Sequence, residues 1–150
     1  MVGLKERLEQ DLKEAMRAKD TLRVSVIRLL SALIKNREVE KRGKLSETEI
    51  LQAVAASCKL RREAIEEYRR VGREDLATKE EAELRILEGY LPPPLSPEEL
   101  RRKVEEAVIR VGASSLKDMG RVMATLMPEI AGRADGRFVS ELVKEVLSRA

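Results

Sequence analysis

The sequence predicts an all-α fold in two parts, an N-terminal helical domain of about four helices and a small C-terminal three-helix bundle. Three observations carry that expectation. Apolar residues recur at helical spacing over almost the whole chain, and no window sustains the period-two alternation of a half-buried strand. Aromatic residues make up only 2% of the 150-residue chain, so the core must be built from Leu, Ile, Val, Ala and Met. A single proline run, "LPPPLSPEEL" at 91–100, breaks the helical pattern near residues 92–95.

In chain order, Leu4, Leu8, Leu12, Ala15 and Met16 line one face of a first helix. Asp20 stands where it can cap the next. "LRVSVIRLLSALIK" (22–35) is apolar over more than half of its circumference, which predicts the central buried helix of its domain. Ser46 and Glu49 have capping-box spacing and open a third helix that runs toward Gly72. A fourth, mostly polar helix covers about 74–90.

Three consecutive prolines then stiffen the chain into an extended connector, and they set the domain boundary: 1–92 and 93–150. Ser96, Pro97 and Glu99 start a helix over about 97–111 that stops at Gly112. Ser115 caps the next, with Leu116, Met119, Val122, Met123 and Leu126 facing inward and an end near Pro128. Gly120 and Ala124 form a strip suited to close helix–helix contact. The last helix runs from about Gly136 to Arg149, with a wide stripe of Phe138, Val139, Leu142, Val143, Val146 and Leu147. Three short helices make a small core, which can lean on the first domain or on a partner.

Charge and composition remove several functions. Hydrophobic residues are 43%, charged residues 38% and mean hydropathy is -0.36, which describes a charge-rich, helix-prone, soluble chain. Lys plus Arg number 30 and Asp plus Glu 27, with the two signs interleaved, so any nucleic-acid contact depends on local arrangement and not on overall field. Few Asn and Gln beside many charges resembles a thermophile's composition. There is no histidine, which removes the commonest general base and metal ligand. One cysteine, Cys58, excludes an intramolecular disulfide and fits a reducing cytoplasm. The N-terminus is charged at once, unlike a signal peptide, and no apolar run is as long as a membrane span. The expected location is cytoplasmic, with no membrane association.

No active site assembles from the sequence. Cys58 lies in "AVAASC" with nothing to activate it, so it reads as a buried structural thiol. "SSLK" (114–117) has Ser-x-x-Lys spacing, which helix capping by Ser115 explains better. No nucleotide-cradling glycine loop or Cys/His metal cluster occurs, so the catalytic, cofactor and metal sets are all none.

"AGRADGRF" (131–138) supports two readings. In one, Gly132 turns the chain at positive φ, Asp135 caps the last helix, and the arginines are solvated. In the other, Arg133 and Arg137 flank a helix N-terminus and grip a phosphate, beside the cap and not in it. Lys117, Arg121 and Lys144 extend the second reading to a five-residue RNA-contact patch, diluted by Glu141 one turn beyond Arg137. In the first domain, "KNREVEKRGK" (35–44) and "KLRREAIEEYRRVGR" (59–73) read as solvated faces with ion pairs within each helix, or as an RNA-backbone surface. With Tyr68 and Tyr90 as the only tyrosines, no stacking platform for single-stranded bases exists.

Three segments, "LKERLEQDLKEAMRAKDTLRVSVIRLLSALIKNREVEKRG", "GREDLATKEEAELRILEGYLPPPLS" and "GASSLKDMGRVMATLMPEIAGRADGRFVSELVKEVL", together resemble the YqeY-like proteins of the GatB/YqeY group. "GREDLA", "YLP", "MGRVM" and the "GRADGR" form of the turn (132–137) occur in the family's order, and the likeness covers essentially the whole chain. The resemblance implies an all-helical, two-part fold. It also implies that the C-terminal bundle is similar to the tail domain of the B subunit of the glutamine-dependent aspartyl/glutamyl-tRNA amidotransferase. That tail contacts tRNA while a separate subunit and domain perform the chemistry, and some glutaminyl-tRNA synthetases carry a similar appendage. The family label is carbon–nitrogen ligase with glutamine as amido-N-donor. The sequence has neither a kinase-like domain nor the Gly/Ser-rich amidase signature, so the chemistry is not carried over. The expected function is a non-catalytic helical module that binds structured RNA, above all tRNA. Alternatives are a module docking on amidotransferase or synthetase subunits, or the ligase activity of the label.

Overall fold

The computed structural model describes residues 3–149, and among these every regular element is helical. One compact unit ends at Leu91 and the other begins at Pro92. The first holds α1 (Leu4–Arg17), α2 (Thr21–Lys41), α3 (Glu47–Arg70) and α4 (Glu74–Glu88). The second holds α5 (Pro97–Val111), a 3-10 turn (Leu116–Asp118), α6 (Met119–Ile130) and α7 (Gly136–Ser148).

The local start signals act as their spacing predicts. Asp20 accepts the Arg23 amide at 3.1 Å and opens α2. Ser46 and Glu49 exchange the two hydrogen bonds of a capping box at α3, and Ser96 and Glu99 do the same at α5, with Pro97 in the first turn. Gly112 adopts φ 65° and ends α5, a conformation that glycine takes without a Cβ clash.

In the first unit Leu8 of α1, Val26, Ile27, Leu30 and Ile34 of α2, Ile50, Val54 and Cys58 of α3 and Leu87 of α4 make one aliphatic core. Tyr90 closes it. Its ring is buried, its hydroxyl donates to Asp11 at 2.5 Å, and the Arg7 guanidinium lies 4.6 Å from the ring centroid and donates to the Gly89 carbonyl at 2.8 Å. Burial beside the Asp11 carboxylate holds the phenol well above its usual range, as a neutral donor.

The expected burial of α2 holds on one side only. Leu29, within the stretch 22–35, is 58% exposed, and Val39 beyond it 69% exposed, because α1, α3 and α4 cover one face of α2 and leave the other free. The ion pairs of residues 59–73 also differ from expectation. They run mostly between α3 and α4: Arg61 meets Glu80 at 3.0 Å and also Glu83, Arg62 meets Glu88 at 3.2 Å, and Arg69 meets Glu74 and Glu81. The polar face of α4 thereby packs against a basic face of α3, and Glu83 is buried between them. Arg70–Glu67 is the pair within one helix.

In the second unit Leu100, Val104, Ala107, Val122, Leu126, Ile130, Val139, Leu142, Val143 and Leu147 form the core. Three expectations are corrected here. Leu116 sits in the 3-10 turn and is exposed, and Phe138 at the start of α7 is 50% exposed, so neither faces inward. α6 continues past Pro128 to Ile130, because the missing amide falls in the last turn and Met127 still accepts the Ala131 amide at 2.9 Å. Gly120 and Ala124 are exposed, and a Cβ at Gly120 would meet nothing within 4 Å, so no helix packs on that strip.

Candidate functional site

The "GRADGR" turn has the geometry of the first reading, a left-handed turn followed by a capped helix. Gly132 takes φ 74°, Asp135 accepts the Arg137 amide at 2.9 Å, and α7 begins at Gly136. The cap is therefore occupied by a carboxylate, and an anion has room only beside it.

The five cations read from the sequence separate into two groups. Two are engaged internally. The Arg133 side chain donates from Nε to the Pro93 carbonyl at 2.9 Å, and the Arg133 carbonyl accepts the Leu95 amide at 2.9 Å. This double link fastens the proline connector to the turn. Arg121 pairs with Asp118 at 3.1 Å and also donates to the Val111 carbonyl, joining the end of α5 to the start of α6. Asp118 in turn accepts the Ser114 and Ser115 amides, and these bonds, with Arg121 beside it, hold its carboxyl below the usual range.

Lys117, Arg137 and Lys144 form the second group. All three are exposed, and among the described residues none makes an ion pair. Lys117 stands on the 3-10 turn, which packs against α7. Arg137 and Lys144 lie seven residues apart on α7, two turns along one face and about 10 Å apart in rise. Glu141 stands between them and is also exposed. Phe138, which its place in the apolar stripe does not mark as a surface residue, is half-exposed and follows Arg137 in the chain. It is the chain's one phenylalanine, and its neighbour is the first basic residue of α7.

Elsewhere one stretch of the basic surface, on α3, is matched by carboxylates. The arginines at 61, 62, 69, 70 and 73 each have a carboxylate partner, so a phosphate there would compete with an existing ion pair. Lys41 binds Glu49 at 2.6 Å and Lys5 binds Glu38 at 2.5 Å. Cys58 is fully buried, and burial pushes its thiol up. Among the described residues no group of three or more His, Cys, Asp or Glu side chains could hold a metal, and no helix is long and apolar enough to cross a membrane.

Comparison with known proteins adds the following. The family model described as Yqey-like protein matches residues 5–147. The chain is 33% identical over 144 residues to "Altered inheritance of mitochondria protein 41, mitochondrial" of Pyrenophora tritici-repentis (strain Pt-1C-BFP), covering 94% of this chain and 79% of that protein. It is 40% identical over 102 residues to the protein of the same name from Vanderwaltozyma polyspora, covering 66% of this chain and 55% of the relative. Over 101 residues it is 38% identical to the Eremothecium gossypii protein, covering 65% and 55%. The chain thus spans about half the length of the last two relatives.

These relatives correct the expected cytoplasmic location, since all three are named mitochondrial proteins. The features behind that expectation, one reduced thiol and a charged start, do not distinguish the cytoplasm from another reducing compartment. With a match running from residue 5 to residue 147, the chain belongs to the YqeY-like protein family.

Proposed function

We propose that the chain is a non-catalytic helical module that contacts the phosphate backbone of structured RNA, tRNA above all, through the second unit. The observation that carries this reading is the set of three exposed, unpaired cations, Lys117, Arg137 and Lys144, on the 3-10 turn and on α7. Lysine and arginine head groups free of carboxylates bind phosphate without first breaking an internal pair. Arg121 and Arg133 support the surface from behind by fixing the segments that present it, and are not themselves the contacts. Phe138 adds an exposed apolar ring beside Arg137 that can pack on a ribose or a base edge. The family resemblance supplies the RNA class, through the tRNA-contacting tail domain of the amidotransferase B subunit.

Three phosphate contacts give weak, salt-sensitive binding, with a slope of about 2–3 in log affinity against log salt. The test is a filter-binding titration of the full chain with tRNA at about 50 and about 200 mM salt. A Lys117→Ala/Arg137→Ala/Lys144→Ala variant should lose that slope. No binding at either salt concentration ends the reading.

A further inference from the structure

The uncovered face of α2 has an order that its composition does not require. Ser25, Leu29, Ala32, Asn36 and Val39 are spaced alternately by four and three residues, and all are exposed. That is the seam of a coiled coil, with Leu29 and Asn36 in one heptad position and Ser25, Ala32 and Val39 in the other. Leu29 and Val39, at 58% and 69% exposure, present their apolar surface to solvent. Asn36, a polar residue at one seam position, is of the kind that fixes the register of a helix packed on it.

One flank of the seam carries charge of one sign. Arg28 and Lys35 lie seven residues apart along it, and Arg42 follows at the next repeat as the C-cap of α2. None of the three makes an ion pair among the described residues, whereas the arginines of α3 all do. At the N-terminal end of α2 the seam opens into a groove of about 740 Å³, lined among others by Met16, Lys19, Val24, Arg28 and Leu29, with no carboxylate in its lining. Heptad spacing, the apolar side chains of Leu29, Ala32 and Val39, and a basic flank opposite the one that ends in Glu40 together specify a helix with apolar seam residues and an acidic flank facing Arg28 and Lys35.

We infer that α2 docks an amphipathic acidic helix of a partner protein, seated on Ser25, Leu29, Ala32, Asn36 and Val39 and held by Arg28, Lys35 and Lys19. A second copy of this chain fits less well, since antiparallel pairing would set the Arg28 and Lys35 rows against each other. Nucleic acid would leave Leu29 and Val39 without a counterpart. The surface belongs to the first unit and is independent of the RNA contact proposed for the second.

The test uses the full chain and two fluorescein-labelled synthetic peptides of α2's length, 21 residues, with Leu at the seam positions. One carries Glu at both flanks and the other Lys. Fluorescence anisotropy should show saturable binding of the Glu peptide, tighter than the Lys peptide by about tenfold or more. Arg28→Glu/Lys35→Glu should reverse that preference. Leu29→Glu should weaken the Glu peptide by about tenfold, with circular dichroism and thermal midpoint unchanged because Leu29 is exposed. Equal affinity for both peptides, or indifference to Leu29→Glu, overturns the inference. So does self-association of the free chain that Leu29→Glu abolishes. Loss of tRNA binding in Arg28→Glu/Lys35→Glu without any peptide binding also overturns it and assigns the basic row to RNA.

Discussion

The α3–α4 surface and the α7 surface are built from the same kinds of residue and do opposite things with them. Between α3 and α4, each arginine meets a carboxylate on the neighbouring helix or one turn away, and the charges hold two helices together. Along the 3-10 turn and α7, Lys117, Arg137 and Lys144 meet no carboxylate among the described residues. Local density of Lys and Arg therefore says little about a partner, and their pairing says much. The segment 59–73, one of the two richest in arginine and lysine, is the one whose arginines are all matched.

The sharpest way to break the comparison is Arg61→Ala. It leaves Glu80 and the buried Glu83 facing each other without their shared cation, and should cost about 3 kcal/mol, the lower end for breaking a buried pair. The buried Nε of Arg61 finds no acceptor in the native state, which offsets part of the gain from the pair. Urea unfolding measures the loss, and an unchanged midpoint would show that the α3–α4 pairs are incidental. tRNA affinity should not move in this variant.

The converse variant is Lys117→Ala/Arg137→Ala/Lys144→Ala. Its thermal midpoint should match the parent, and its salt slope for tRNA should flatten by about 2–3. Arg62→Ala/Arg69→Ala, with as much charge removed per residue, should leave that slope untouched. If both variants flatten it equally, pairing does not decide availability.

Smaller effects are expected where arginines hold carbonyls. Arg121→Ala and Arg133→Ala each remove charge-assisted bonds to exposed or half-exposed groups, worth about 1 kcal/mol. Thermal denaturation should detect the loss, and tRNA binding measured well below the midpoint should keep its slope. A flattened slope for either would move that residue into the contact set.

The smallest effect is a pH dependence. Lys41 and the Ser46 amide hold the Glu49 carboxyl at about 2 from an ordinary 4.5. The folded value lies below the unfolded one, so the stabilisation is complete above about 4.5 and is lost as pH falls toward about 2. Glu49→Gln should therefore start lower at neutral pH and lose less through that window. Parallel melting curves for parent and variant across it would remove this role. Glu99, in the equivalent box of α5, is held low in the same direction by Ser96, with Arg133 and Arg102 nearby, and makes the matched control in the second unit.

The residues that could be read from sequence are those whose partners are local. Asp20, the Ser46–Glu49 and Ser96–Glu99 boxes, Ser115 and Asp135 all bond amides within a few residues, so spacing alone identifies them. Gly112 and Gly132 mark left-handed turns for the same reason. What spacing does not encode is which distant segment arrives. Arg61 has acidic residues nearby in α3 yet meets Glu80 and Glu83, 19 and 22 residues away. Arg121 and Arg133 bond backbone carbonyls, acceptors that every residue carries and that no side-chain pattern reveals. Leu29, Val39, Leu116 and Phe138 look like core residues, and only the count of covering helices shows that they are not.

Cys58 offers one more use. It is the single thiol of the sequence, it is fully enclosed by the aliphatic core of the first unit, and the second unit carries no competing thiol. A maleimide added to the native chain reacts only when that core breathes. The labelling rate is thus a chemical clock for transient opening of residues 3–91 alone, and it can be read against bound peptide or RNA without unfolding the molecule.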